Sequence, residues 1–150
     1  MLKPYLFTFL SLIVITAVVF TFQSCSGSGQ YTAASLPGTF EYHLVDQSGE
    51  RLLEGKVSFK ETSDGKYTME FVIDKTLKDF PGVDGFRSQN PTVTYTPETR
   101  KVFIAMTPMT GDYQLYLNLD LVGNSLAGDW SHDTMKGTQS QGRFYGTRIN

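Results

Sequence analysis

The chain has very few of the residues that disulfides, metal sites and polar catalysis require. It contains one cysteine, Cys25, and two histidines, His43 and His132, among 150 residues. A single cysteine cannot form an internal disulfide, and two histidines so far apart do not have the spacing of a zinc site. We therefore expect no disulfide framework and no bound metal, and no motif indicates an organic cofactor.

Clustered positive charge is also missing. The 13 lysines and arginines are outnumbered by 15 acidic residues, and the basic residues form no run. Proteins that bind nucleic acid usually carry a basic patch, so nucleic acid is an unsuitable partner. The glycines from Gly137 to Gly146 lack the Lys-Ser or Lys-Thr ending of a phosphate-binding loop.

The beginning of the chain is almost uncharged. Lys3 is the only charge in residues 1–24, and an apolar run of 18 residues extends from Tyr5 to Phe22. Ser24 and Cys25 follow the run, and a Ser/Gly-rich stretch comes next. A basic start, an apolar run and a small residue before a cleavage site are typical of a secretory signal. Because about 20 apolar residues span a bilayer, an uncleaved transmembrane anchor is the alternative.

A cysteine directly after a small residue resembles the lipobox of bacterial lipoproteins, although Phe22 and Gln23 differ from that family's Leu and small residue. The resemblance implies that residues 1–24 are removed and that Cys25 becomes a lipidated first residue. Two or more acyl chains, such as palmitate, hold a protein stably on a membrane. Ser26 stands where many inner-membrane lipoproteins have Asp. The resemblance thus implies the bacterial cell envelope, and within it the outer membrane.

Removing 24 of the 150 residues would leave 126 residues, a typical length for a single domain. Residues 25–37 read as a Ser/Gly-rich tether and residues 38–150 as the folded domain. Apolar and polar residues alternate through most of that domain, and Asp-Gly and Ser-Gly pairs separate the alternating segments. This pattern indicates β-strands joined by hairpin turns. The polar stretch from His132 to Ser140 reads as the connection before the last strand.

The pattern predicts about eight strands, short links and no strong helical segment. Sequential strands with hairpin links form an antiparallel meander. Eight strands close readily into a small up-and-down barrel, which leaves no exposed sheet edge. We therefore predict an all-β domain with such a barrel, and a two-sheet β-sandwich is the alternative.

The two ends of the domain are similar to lipocalin-like, or calycin, barrels. Pro37-Gly38-Thr39-Phe40 lies where that superfamily has Gly-x-Trp, and Arg148 lies where it has a basic residue over the tryptophan. Phe40 replaces the tryptophan here, and Gly128-Asp129-Trp130 is on the penultimate strand instead. The resemblance implies a barrel with an apolar cavity for a small ligand. The alternative is another small antiparallel domain that happens to carry these residues.

No catalytic group can be assembled from the sequence. His132 beside Asp133 resembles half of a catalytic triad, but such a pair is usually a solvated turn. Asp129 and His132 point to opposite faces of an extended strand. Asp79, Asp84 and Arg87 lie together in one segment and read as ordinary loop charges.

Aromatic residues are abundant, at 13% of the chain. Those at strand positions are candidates to line a ligand cavity, although they would equally fill a core. The candidates are Tyr42, Tyr67, Phe71, Tyr95, Tyr116, Trp130 and Phe144. The segment from Lys75 to Asn90 is long for a loop, and it carries Phe80 and Phe86 as candidate lid residues.

These features predict a membrane-anchored, non-catalytic envelope lipoprotein whose barrel binds a small apolar ligand or a protein partner. A hydrolase or isomerase built on the barrel is the alternative. That alternative needs a convergent polar site, which the sequence does not reveal.

Overall fold

The computed structural model describes residues 35–88, 90–108 and 111–150. The predicted signal segment, Cys25 and most of the predicted tether lie outside these residues. The described part contains eight strands and one short 3-10 helix, Val83–Arg87. The strands are β1 Gly38–Asp46, β2 Arg51–Glu61, β3 Tyr67–Thr76, β4 Thr92–Thr96, β5 Lys101–Ala105, β6 Tyr113–Val122, β7 Ser125–Thr134 and β8 Gly137–Arg148.

Each strand pairs antiparallel with the next, and the last strand returns to the first. The closing pair runs from Phe40 opposite Arg148 to Asp46 opposite Gly142. The domain is therefore a closed, eight-stranded up-and-down barrel. The predicted fold is confirmed, and the sandwich alternative is wrong because β1 and β8 join the ladder into a ring.

Side chains from one face of every strand fill the barrel. On β6, for example, Leu115, Leu117, Leu119 and Leu121 are buried, whereas the residues between them are partly or fully exposed. This period of two follows from the pleat, which sends successive side chains to opposite faces. The largest fully buried side chains are Trp130, Phe40, Phe86 and Phe144.

Some boundaries differ from those that the sequence predicts. β7 continues to Thr134 and β8 begins at Gly137, so only two residues turn the chain between them. The polar stretch around His132 is thus mostly strand. Its backbone groups pair in the β7–β8 ladder, and this pairing does not require apolar side chains on both faces. Leu36, predicted to lie in the tether, is fully buried in the core.

The barrel ladder is weak at one place, between β3 and β4. Tyr67 opposite Val93 is the one registered pair between these strands. The loop that connects them, residues 77–91, contains the 3-10 helix. This connection is much longer than the other links, and its position at the weak part of the ladder defines the candidate site.

No helix in the described part of the chain has the length and apolar character needed to cross a membrane.

Candidate functional site

The loop of residues 77–91 is attached to several strands at one end of the barrel. The backbone N–H groups of Leu77 and Lys78 both donate to the carbonyl of Leu52 on β2, at 2.8 and 3.1 Å. The ammonium group of Lys78 forms an ion pair with Glu50 in the preceding turn. On the other side, the hydroxyl of Ser140 on β8 donates to the carbonyl of Pro81 at 2.5 Å. The loop therefore lies across the barrel end and caps it.

Both candidate lid residues place their rings in the core. Phe86 is fully buried and Phe80 nearly so. The ring of Phe80 lies 5.3 Å from that of Trp130, and the ring of Phe86 lies 5.9 Å from it, centroid to centroid. A buried phenylalanine contributes about 1.5–3 kcal/mol, so these two rings hold the loop against the barrel.

The aromatic contacts continue from the loop through the interior. The ring of Phe86 lies 5.6 Å from Phe71, and Phe71 lies 4.4 Å from Tyr42. Tyr42 in turn stacks on Phe144 at 5.3 Å. Four cavity candidates are thus joined in one cluster with the two lid candidates. We call this set the aromatic cluster; its members are Tyr42, Phe71, Phe80, Phe86, Trp130 and Phe144.

The other three cavity candidates lie elsewhere. Tyr67 and Tyr95 form an edge-to-face pair at 5.6 Å, and both are half-buried against the core. Tyr116 is on the outer face of β6, where its ring lies 5.5 Å from exposed Phe103. Its assignment to a cavity lining is therefore wrong. The reason is the strand period, because Leu115 and Leu117 occupy the inner face on either side of it.

Two aromatic side chains in the cluster reach across a glycine to a backbone carbonyl two strands away. The Tyr42 hydroxyl of β1 passes Gly55 of β2 and donates to the carbonyl of Val72 on β3 at 3.1 Å. The Trp130 indole of β7 donates at 3.0 Å to the carbonyl of Val45 on β1. Gly142 of β8 lies between that pair, and a Cβ there would be 2.9 Å from the indole nitrogen.

These glycines were not predicted as site residues. A glycine inside a strand signals a close approach of other atoms, but it does not show which atoms approach. Burial, and secondarily the charge of Asp74, raise the pKa of the Tyr42 hydroxyl. The phenol therefore stays protonated and remains a donor to the Val72 carbonyl.

His132 lies at the capped end beneath the loop. The residue is only 8% exposed, and no described group forms a hydrogen bond with the Nδ1 atom of its imidazole. Gly82 of the loop lies directly against the imidazole, since a Cβ on Gly82 would be 2.7 Å from Cγ and 3.0 Å from Nδ1. Tyr113 contacts the ring edge at 5.7 Å between centroids. A buried polar atom without a partner is uncommon in folded proteins and requires an explanation.

The structure does not place His132 in a catalytic triad. The carboxylate of neighbouring Asp133 accepts hydrogen bonds from Ser131 and Thr138. Asp129 faces outward and pairs with Arg143 at 2.9 Å. Among the described residues, no group of three or more histidine or acidic side chains is arranged to hold a metal.

The candidate loop charges are on the outer side of the loop. Asp84 pairs with Arg87 at 2.6 Å, and both side chains are largely exposed. A carboxylate oxygen of Asp79 accepts from the backbone N–H of Phe80. Asp79 and Asp84 also line an open groove of about 620 Å³, which His132 and Tyr113 line as well.

The weak part of the ladder exposes some of the apolar interior. Met69, Phe71 and Ile73 face inward on β3 but are only half-buried, whereas inward residues of β6 are fully buried. A groove of about 490 Å³ runs along these residues and past Phe86 and Arg87. The aromatic cluster is thus reachable from the side of the barrel, next to the loop.

The opposite end of the barrel is closed by the start of the domain. The guanidinium carbon of Arg148 lies 4.5 Å from the centre of the Phe40 ring. The same guanidinium donates to the carbonyls of Pro37 and Ser35, at 2.5 and 2.6 Å. Leu36 is buried between these attachments. The groove that reaches the aromatic cluster therefore lies beside the loop and not at this end of the barrel.

The chain matches no protein-family model, no curated protein and no solved structure. The arguments for function consequently rest on the geometry of this barrel.

Proposed function

We propose that the domain is a non-catalytic binding protein that holds a small apolar ligand at the capped end of the barrel. The ligand inserts between the two loop rings, Phe80 and Phe86, and the rest of the aromatic cluster, and it packs against both. The observation that carries this proposal is that two loop phenylalanines insert into the barrel interior and join that cluster. Beside them, the weak β3–β4 ladder leaves the inward-facing side chains of β3 half-exposed.

The energetics are consistent with a loop that opens. Lifting the two rings off the cluster costs about 3–6 kcal/mol of burial, and contact between the rings and an inserted apolar ligand would restore it. Ligand sites are mostly apolar, with a few polar groups that set orientation. The aromatic cluster supplies the apolar surface. An eight-stranded barrel is large enough to hold one small ligand when some interior side chains move aside.

The test is to replace Phe80 and Phe86 with alanine and to measure binding of N-phenyl-1-naphthylamine. The full chain is held in lipid nanodiscs, with protein-free nanodiscs as the blank. We expect about tenfold weaker binding, because the two rings form the loop side of the ligand site, while the far-ultraviolet dichroism of the barrel persists. Phe103→Ala is the matched control, since this ring is exposed on the outer face.

If the double variant binds the probe as the wild type does and only melts at a lower temperature, the rings are a structural plug. In that case the proposal is wrong.

We also propose that lipid on Cys25 anchors the protein in a bacterial cell envelope, at the outer membrane. The apolar run of residues 5–22 and the lipobox-like Ser24-Cys25 pair that follows it support this proposal. Growth with radiolabelled palmitate should label the wild type and leave Cys25→Ser unlabelled. Equal labelling of both would refute the anchor without affecting the binding proposal.

A further inference from the structure

The imidazole of His132 is a buried polar group at the capped end of the barrel. It follows Leu126, Gly128 and Trp130 on the inner face of β7, and it is the last buried residue of that strand at the capped end. Its Nδ1 faces the underside of the loop at Gly82 and has no hydrogen-bond partner in the described part of the chain. Leaving such a group buried without a partner is energetically unfavourable.

The surroundings of the ring do not relieve this cost. Tyr113 contacts the ring edge, and the Thr107 hydroxyl at the same end accepts a hydrogen bond from the Leu115 backbone. Asp133 is bonded to Ser131 and Thr138. The nitrogen is therefore available when the loop moves, and it lies next to the surface that the ligand is proposed to occupy.

We infer that His132 is the polar anchor of the ligand site and that the ligand is a neutral, apolar molecule carrying a hydroxyl group. This inference rests on the proposed function. When Gly82 moves with the loop, Nδ1 gains the hydroxyl as its partner. A hydroxyl both donates and accepts, so it pairs with either tautomer of the imidazole.

The charge near the anchor favours a neutral ligand over an acid. Asp79 and Asp84 line the groove above His132, and Asp84 is only partly neutralised by its exposed pair with Arg87. A carboxylate brought to Nδ1 would approach these two like charges. Gly82 makes the arrangement possible, because its φ of 95° and its lack of a side chain let the loop lie on the ring.

Three probes of one shape test the inference: 1-naphthol, 1-methylnaphthalene and 1-naphthoate at neutral pH. Affinities are measured by calorimetry on the full chain in lipid nanodiscs, with protein-free nanodiscs as the blank. We expect wild type to bind naphthol about three- to tenfold more tightly than methylnaphthalene, as one buried neutral hydrogen bond implies, and to bind naphthoate most weakly.

The variants assign that preference to the imidazole. His132→Phe should bind naphthol and methylnaphthalene equally, His132→Gln should keep part of the preference, and His43→Gln on the outer face should behave as wild type. Equal wild-type binding of the two neutral probes, as a water-paired imidazole would give, overturns the anchor and leaves the proposed function intact. If His132→Phe still binds naphthol more tightly than methylnaphthalene, the anchor is also overturned and the proposed function stands. If neither neutral probe binds to wild type, the proposed function fails and the anchor fails with it.

Discussion

Gly142 is the position where a single added methyl group should be most damaging. A Cβ built on it would lie 1.9 Å from the Val45 carbonyl oxygen and 2.9 Å from Trp130 Nε1. These two atoms are the partners of a buried hydrogen bond that joins β7 to β1 across β8. Gly142→Ala must therefore move the backbone or break that bond, and no flexible side chain is available to yield at the carbonyl.

The magnitude follows from two costs. Overpacking a core typically costs about 1–3 kcal/mol, and an unpaired buried donor or acceptor costs about 1–3 kcal/mol more. We expect Gly142→Ala to lower the free energy of unfolding by about 4 kcal/mol. Since small domains are stable by only about 5–15 kcal/mol, this variant should be close to unfolding.

The assay is urea denaturation at 25 °C, followed by far-ultraviolet dichroism. With a urea dependence of about 1.5 kcal/mol/M, the midpoint should fall by about 2.5 M. Gly111→Ala is the matched control, because nothing lies within 4 Å of a Cβ there, and it should change the midpoint little. A Gly142→Ala midpoint within 0.5 M of wild type would refute the reasoning.

Two further predictions concern side chains that close the barrel. Tyr42→Phe should cost about 1–3 kcal/mol at neutral pH, because it leaves the Val72 carbonyl unpaired. The folded state raises the pKa of Tyr42, so its stabilising effect persists below pH 10 and declines by about 1.4 kcal/mol per pH unit above it. The difference between wild type and variant, measured by denaturation from pH 8 to 11, should therefore shrink above pH 10; a constant difference would contradict this. Arg148→Met should lower the free energy of unfolding by about 1–3 kcal/mol, because it removes the contact with Phe40 and two hydrogen bonds to backbone carbonyls. A melting temperature equal to that of wild type would show that these contacts do not stabilise the barrel.

The residue pattern by itself determined the fold class and most of the strands. Alternation is a local property, so it identified segments such as Tyr67–Ile73 and Tyr113–Leu119 without knowledge of their neighbours. It also singled out Phe80 and Phe86, because apolar rings in a long loop need a place to be buried. Cys25 stays a prediction, since the described residues do not include it.

Only the tertiary structure decided how the strands meet and what their side chains reach. The hydrogen bond from Trp130 to Val45 joins residues 85 apart in sequence. Gly142 inside its strand signals that other atoms come close, but it does not show that they belong to Trp130 and Val45. The same holds for His132, whose burial depends on a loop about 50 residues earlier in the chain. Period-two patterns assign residues to two faces, but they do not identify which strands are adjacent in space, and adjacency determines which polar atoms find partners.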